Sequence, residues 1–133
     1  MQLKKSYKGF VIWMVIYMLV ETLAVFLPLE SQLLARITFN ITSVSIVILL
    51  YVIFRTEKIF WFSGMTYEEA VQAGSLRRKT FAFRHLRVYG IFTVVFLLFS
   101  VIMQLFHISI WVDTVVFTAG LLFVAFFTMR IKL

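Results

Sequence analysis

The chain contains no cysteine, and only one proline and five glycines among its 133 residues. Without cysteine there is no disulfide framework, no thiol nucleophile, no thiolate metal site and no redox relay. So few turn-forming residues exclude a turn-rich all-β design and require short connections. Charge is scarce as well: 14% of residues are charged and 62% hydrophobic, whereas a soluble domain carries about 25% charged residues. A disordered chain and a soluble enzyme are both set aside on that ground. Chemistry-bearing motifs are missing too. There is no histidine pair at metal spacing, no phosphate-cradling glycine loop and no nucleophile elbow. The expectation is therefore a non-enzymatic protein with no cofactor and no metal.

What the chain does have is four long apolar runs, at 9–28, 37–54, 88–106 and 110–129. Each approaches or exceeds the 18 residues needed to cross a hydrocarbon core of about 30 Å. None of the four contains a Lys or Arg, and Glu21 and Asp113 are the only formal charges within them. Apolar residues run around each helix rather than along one stripe, which a water-exposed helix would not tolerate. The first run reads as a retained span and not as a cleaved leader, because it is long, carries Glu21, and offers only a poor small-residue pattern at Thr22 and Ala24.

The thirteen basic residues are placed unevenly. Lys4, Lys5 and Lys8 precede the first span. Arg55, Lys58, Arg77, Arg78, Lys79, Arg84 and Arg87 lie between the second and third, and Arg130 and Lys132 follow the fourth. Only Arg36 falls on the other side. Because short loops rich in Lys and Arg stay in the cytoplasm, both termini and the central loop are expected there, in a multi-pass protein of the plasma membrane. Trp13, Tyr51 and Trp61 near one boundary and Trp111 near the other fit the same register. Net charge of +7 is then a topology signal with some attraction to anionic headgroups, and nucleic acid is not needed to account for it.

The fold class that follows is an all-α integral membrane protein. Four transmembrane helices form two hairpins, joined by a basic amphipathic connector in the loop 55–87, and the chain is one domain over 1–133. The outer connections are short, 29–36 and 107–109. Within the central loop, Thr66 followed by Glu69 reads as a capping box that starts a helix at Tyr67. Gly74 and Ser75 are expected to split it, with a second basic segment running from Leu76 into the third span. Arg77, Arg78, Lys79, Arg84 and Arg87 are the candidates for docking a partner or a lipid headgroup, against the simpler reading of solvated charges on an interfacial connector.

Polar residues gather in the outer half of the spans. Glu21 lies seven residues before Pro28, about 10 Å below the outer helix end. Asn40, Gln104, His107 and Asp113 fall at similar depth, with Thr42, Ser100, Thr114 and Thr118 beside them. An ionisable group inside a span is a functional hypothesis by default. A pocket in which Glu21 pairs with His107, or accepts from Asn40 and Gln104, is one reading. Interhelical hydrogen-bond glue, with His107 and Asp113 at the outer interface, is the other. Three functions remain open. The first is an accessory or regulatory subunit that docks on a larger membrane protein. The second is an oligomeric transporter or channel that uses Glu21. The third is a lipid-directed enzyme with Glu21, His107 and Asp113 as acid and base, which no motif supports.

Overall fold

The computed structural model describes residues 3–62 and 64–133. They form four long helices, α1 (Lys8–Val25), α2 (Ser31–Thr56), α3 (Tyr67–Leu105) and α4 (Ile110–Thr128), with a single 3-10 turn at Ile59–Trp61. Each of the four holds a stretch long and apolar enough to cross a membrane. The protein is therefore an all-α, polytopic membrane-spanning chain. Most large apolar side chains face outward, among them Leu23, Phe26, Phe123 and Phe126, as lipid-facing surfaces do.

Helix ends follow local chemistry. Helix α1 stops at Val25, three residues short of Pro28, and α2 begins already at Ser31. The connection is thus shorter than the apolar pattern indicates, and Arg36 sits in the second turn of α2 instead of in a loop. Helix α3 opens on the capping box read from sequence. Thr66 Oγ1 accepts from the Glu69 amide at 3.1 Å, and Glu69 Oε2 accepts from the Thr66 amide at 2.8 Å. At Gly74 the backbone leaves the helix, with φ 79° and ψ 162°, a conformation open to glycine and strained for other residues. Residues 67–73 thus form a short arm, and 75–105 a helix of about 46 Å. Such a helix overshoots a 30 Å hydrocarbon core by about three turns.

The chain reverses after α3 through a Schellman turn. The Ile108 amide donates to Met103 O at 3.0 Å and the His107 amide to Gln104 O at 3.2 Å. His107 takes the left-handed conformation, φ 53°, that glycine usually fills.

Helix α2 is the central element, touching α1, α3 and α4. The tightest packing lies at the end where the termini meet the connector. Leu50, Ile53, Ile59, Phe60, Ala70, Phe81 and Ala82 are buried together there, with Leu3 beneath and Ile131 against them. Two bonds hold the N-terminal segment down: Trp61 Nε1 donates to Ser6 O at 2.9 Å, and Tyr67 Oη to Leu3 O at 2.7 Å. At the opposite end the turns 26–30 and 106–109 close the bundle. Gly120 admits a close neighbour: a side chain added there would meet the Phe92 ring at 2.5 Å.

Candidate functional site

Buried polar groups collect in two networks, one at each end of the bundle, with a polar seam between α1 and α2. The network near the turns centres on Arg36, which is 3% exposed. Its guanidinium donates through Nε to Asp113 Oδ2 at 3.2 Å and through Nη2 to Asp113 Oδ1 at 3.0 Å. Nη1 reaches Gln104 Oε1 at 2.7 Å, and Nη2 also donates to the carbonyl of Ile108. Ser100 Oγ adds a long contact to Asp113 Oδ2, 3.4 Å. Asp113 is fully buried. A planar fork meeting a carboxylate in two places is the strongest pairing side chains offer. Here it ties α2 to α4, while Gln104 and Ile108 bring in the end of α3.

The residues singled out in the sequence thus divide. Gln104 and Asp113 converge, but on Arg36 rather than on Glu21. Asn40 lies one turn along α2 and donates back to Arg36 O at 2.8 Å, leaving its side-chain oxygen without a partner. His107 is exposed and forms the helix-ending turn. Asp113, a candidate of the intramembrane polar site that the alternative reading set at the outer interface, is buried.

Glu21 belongs to the seam. Trp13, Tyr17 and Glu21 recur every four residues and so share one face of α1. Trp13 Nε1 donates to Ser45 O at 2.8 Å. The Tyr17 hydroxyl lies 3.0 Å from Thr42 Oγ1, and Thr42 Oγ1 donates to Glu21 Oε1 at 2.9 Å. Neither His107, Asn40 nor Gln104 reaches the Glu21 carboxylate.

The second network closes the connector end. Glu57 adopts φ 60° just past α2 and is 3% exposed. Arg78 donates to its Oε2 from Nε at 3.0 Å and Nη2 at 2.8 Å, and caps Ala70 O from Nη1 at 2.9 Å. Ser75 Oγ donates to Oε1 at 2.7 Å, and Lys79 Nζ stands 3.6 Å away. Burial pushes the Glu57 carboxyl up, but the hydrogen bonds from Ser75 and Arg78 and the charges of Arg78 and Lys79 outweigh it, so its pKa lies below the ordinary value. Of the five basic candidates, Arg78 is consumed in this internal pair. Arg77, Arg84, Arg87 and Lys79 remain exposed. His85 is buried between Phe62 and Phe81, with ring centroids at 4.6 and 4.5 Å. Desolvation pushes its pKa down, and the bond from Nδ1 to Phe81 O opposes this only in part.

Arg36 is the hub of the network near the turns, and the sequence pattern left it outside the candidate site. Its signal was available: a lone base in an otherwise apolar stretch, Leu33 to Ile37, in a chain whose fourth span holds a single carboxylate. No group of three or more metal-ligating side chains converges among the described residues.

The third feature is an open groove of about 830 Å³ along the bundle. Its floor is one face of α2, and its walls are α1 (Ile12, Ile16, Val20) and α3 (Leu97, Val101). From Leu33 to Val52 the floor runs about 28 Å, the depth of a hydrocarbon core. The groove exists because α1 leans mainly on α2 through the seam and stands away from α3, so that Ala24 is its one buried residue. No family model, no curated protein and no solved structure matches the chain.

Proposed function

We propose that the chain is a non-enzymatic accessory or regulatory subunit of a larger complex in the plasma membrane, and that it receives one apolar transmembrane helix of a heterologous partner in the α1–α2–α3 groove. Both termini and the connector lie on the cytoplasmic side in this reading. Twelve of the thirteen basic residues stand on that side, and the exception, Arg36, is neutralised internally by Asp113. The two hairpins α1–α2 and α3–α4 are joined by the basic connector.

The observation that carries the reading is the match between the groove and the bilayer. A trough as deep as the hydrocarbon core, floored and walled by apolar side chains, fits a spanning helix better than a small solute or a single-leaflet lipid. Of the polar side chains along its lining, Trp13, Tyr17, Arg36, Ser100 and Gln104 are engaged in internal ties, and Asn40 keeps one buried oxygen unpartnered. The alternative of an oligomeric transporter using Glu21 draws less support, since the Glu21 carboxylate is turned to Thr42 on the α1–α2 seam.

The test is photocrosslinking in native membranes. A photoreactive residue at Ile16 or Val101 faces the groove, and one at Val94 or Phe126 faces lipid elsewhere. One heterologous membrane protein crosslinked from the groove positions, through a peptide mapped to one of its transmembrane helices and absent from the control positions, supports the proposal. Groove positions that label only lipid or copies of this chain contradict it.

A further inference from the structure

A second cavity, of about 700 Å³, lies between α3 and α4 on a different side of the bundle. Its mouth is formed by Arg84 and Arg87, one turn apart on α3, and by Ile131 beyond the end of α4. Below them the walls are Ile91, Val95, Phe123 and Phe127. The two arginines are exposed and make no ion pair among the described residues. Of the carboxylates at this end, Glu57 is engaged by Arg78 and Glu69 in the cap of α3, and Glu68, exposed on the short arm, makes no ion pair among the described residues. Arg130 and Lys132 flank Ile131 and carry no carboxylate partner either. The mouth is thus cationic with no carboxylate in ion-pair contact among the described residues, and the slot beneath it is apolar.

Depth identifies the occupant. From the headgroup-level mouth at Arg84 to Val95 the slot descends about 16 Å along α3, so its floor stays within the connector-side half of a 30 Å core. That is one leaflet, too short for a spanning helix and suited to acyl chains. Guanidiniums at the mouth sit at headgroup level and match a phosphodiester in geometry as well as charge. We infer that this slot is a binding site for an anionic phospholipid of the leaflet on the connector side. Arg84 and Arg87 hold the phosphate, and the acyl chains lie along Ile91, Val95, Phe123 and Phe127. Basic pockets between transmembrane helices serve such lipids generally. The site does not depend on what fills the α1–α2–α3 groove.

The experiment is native mass spectrometry of the full chain released from mixed micelles containing phosphatidylglycerol and phosphatidylcholine of identical acyl chains. Wild type is expected to retain the anionic lipid with about 25-fold preference, the contribution of two guanidiniums at the surface. Arg84→Gln with Arg87→Gln brings the preference near unity, whereas Arg77→Gln, outside the slot, leaves it unchanged. Val95→Trp fills the slot without touching charge and lowers retention of both lipids. Inorganic phosphate at millimolar concentration does not displace the bound lipid. Equal retention of the two lipids by wild type would overturn the assignment. So would a preference that survives loss of both arginines in a protein with wild-type helicity, full retention in Val95→Trp, or displacement by phosphate alone.

Discussion

Replacing Arg36 with methionine removes the hub of the turn-end network while keeping an apolar stem of similar length. Four hydrogen bonds vanish, two of them to Asp113. The fully buried Asp113 carboxylate keeps only the long Ser100 contact, and Gln104 and the Ile108 carbonyl lose their donor. Removing one member of a buried ion pair costs about 3–5 kcal/mol, because the remaining charge is stranded. The same reasoning makes Arg36→Met combined with Asp113→Leu close to neutral, since both charges leave together. Reversible unfolding in mixed micelles with increasing denaturing detergent measures these two variants and Asp113→Leu alone against wild type. A double-mutant cycle then gives the coupling, expected at several kcal/mol in favour of the pair. A single variant within about 1 kcal/mol of wild type, or a double variant as unstable as the sum of the singles, would refute the claim that these charges tie α2 to α4.

Other expectations follow from the same structure. His107→Gly relieves a left-handed backbone that costs a side-chain-bearing residue about 1–2 kcal/mol, so it should raise stability in the same assay; a loss would show that the imidazole is needed. Acid should destabilise the connector end. Glu57 has a depressed pKa, so its contribution is present above the usual carboxylate range and is lost as pH falls through its folded value. His85, also depressed, contributes fully above about 6.5 and loses that contribution as pH drops below it. Hydrogen exchange of residues 57–85 between pH 7 and pH 4 reads both, and protection that rises on acidification would contradict the signs. Because the chain has no native cysteine, single cysteines report threading cleanly. Glu30→Cys should label with an impermeant maleimide on intact cells, and Glu68→Cys only after permeabilisation.

The helices were legible because length and hydropathy are one-dimensional signals: an unbroken apolar run has no other stable place than a membrane span. The start of α3 was legible because the Thr66–Glu69 reciprocal cap lies within four residues, and its break was marked by Gly74. The boundaries of α1 and α2 were less so, since the polar residues Ser31, Gln32 and Arg36 resemble a loop in composition yet continue the helix. The site was the least visible. Arg36 and Asp113 are 77 residues apart, and whether they meet depends on the rotation of α2 and α4 about their axes. A span that is apolar on every face carries no periodicity to fix that rotation. Glu21 looked like the centre of the polar cluster for the same reason. Depth is readable from sequence, whereas azimuth is set by packing, here by Trp13 and Tyr17 docking on α2.

The most direct check of the accessory reading compares two substitutions for their effect on the crosslink from Ile16 to the partner helix. Val101→Trp narrows the groove from the α3 wall, and Glu21→Gln removes the seam carboxylate's charge while keeping an acceptor for Thr42. Val101→Trp is expected to abolish the crosslink, and Glu21→Gln to leave it at wild-type yield. A crosslink that persists with the groove filled, or one that disappears with Glu21→Gln in a protein of unchanged stability, would contradict the accessory reading.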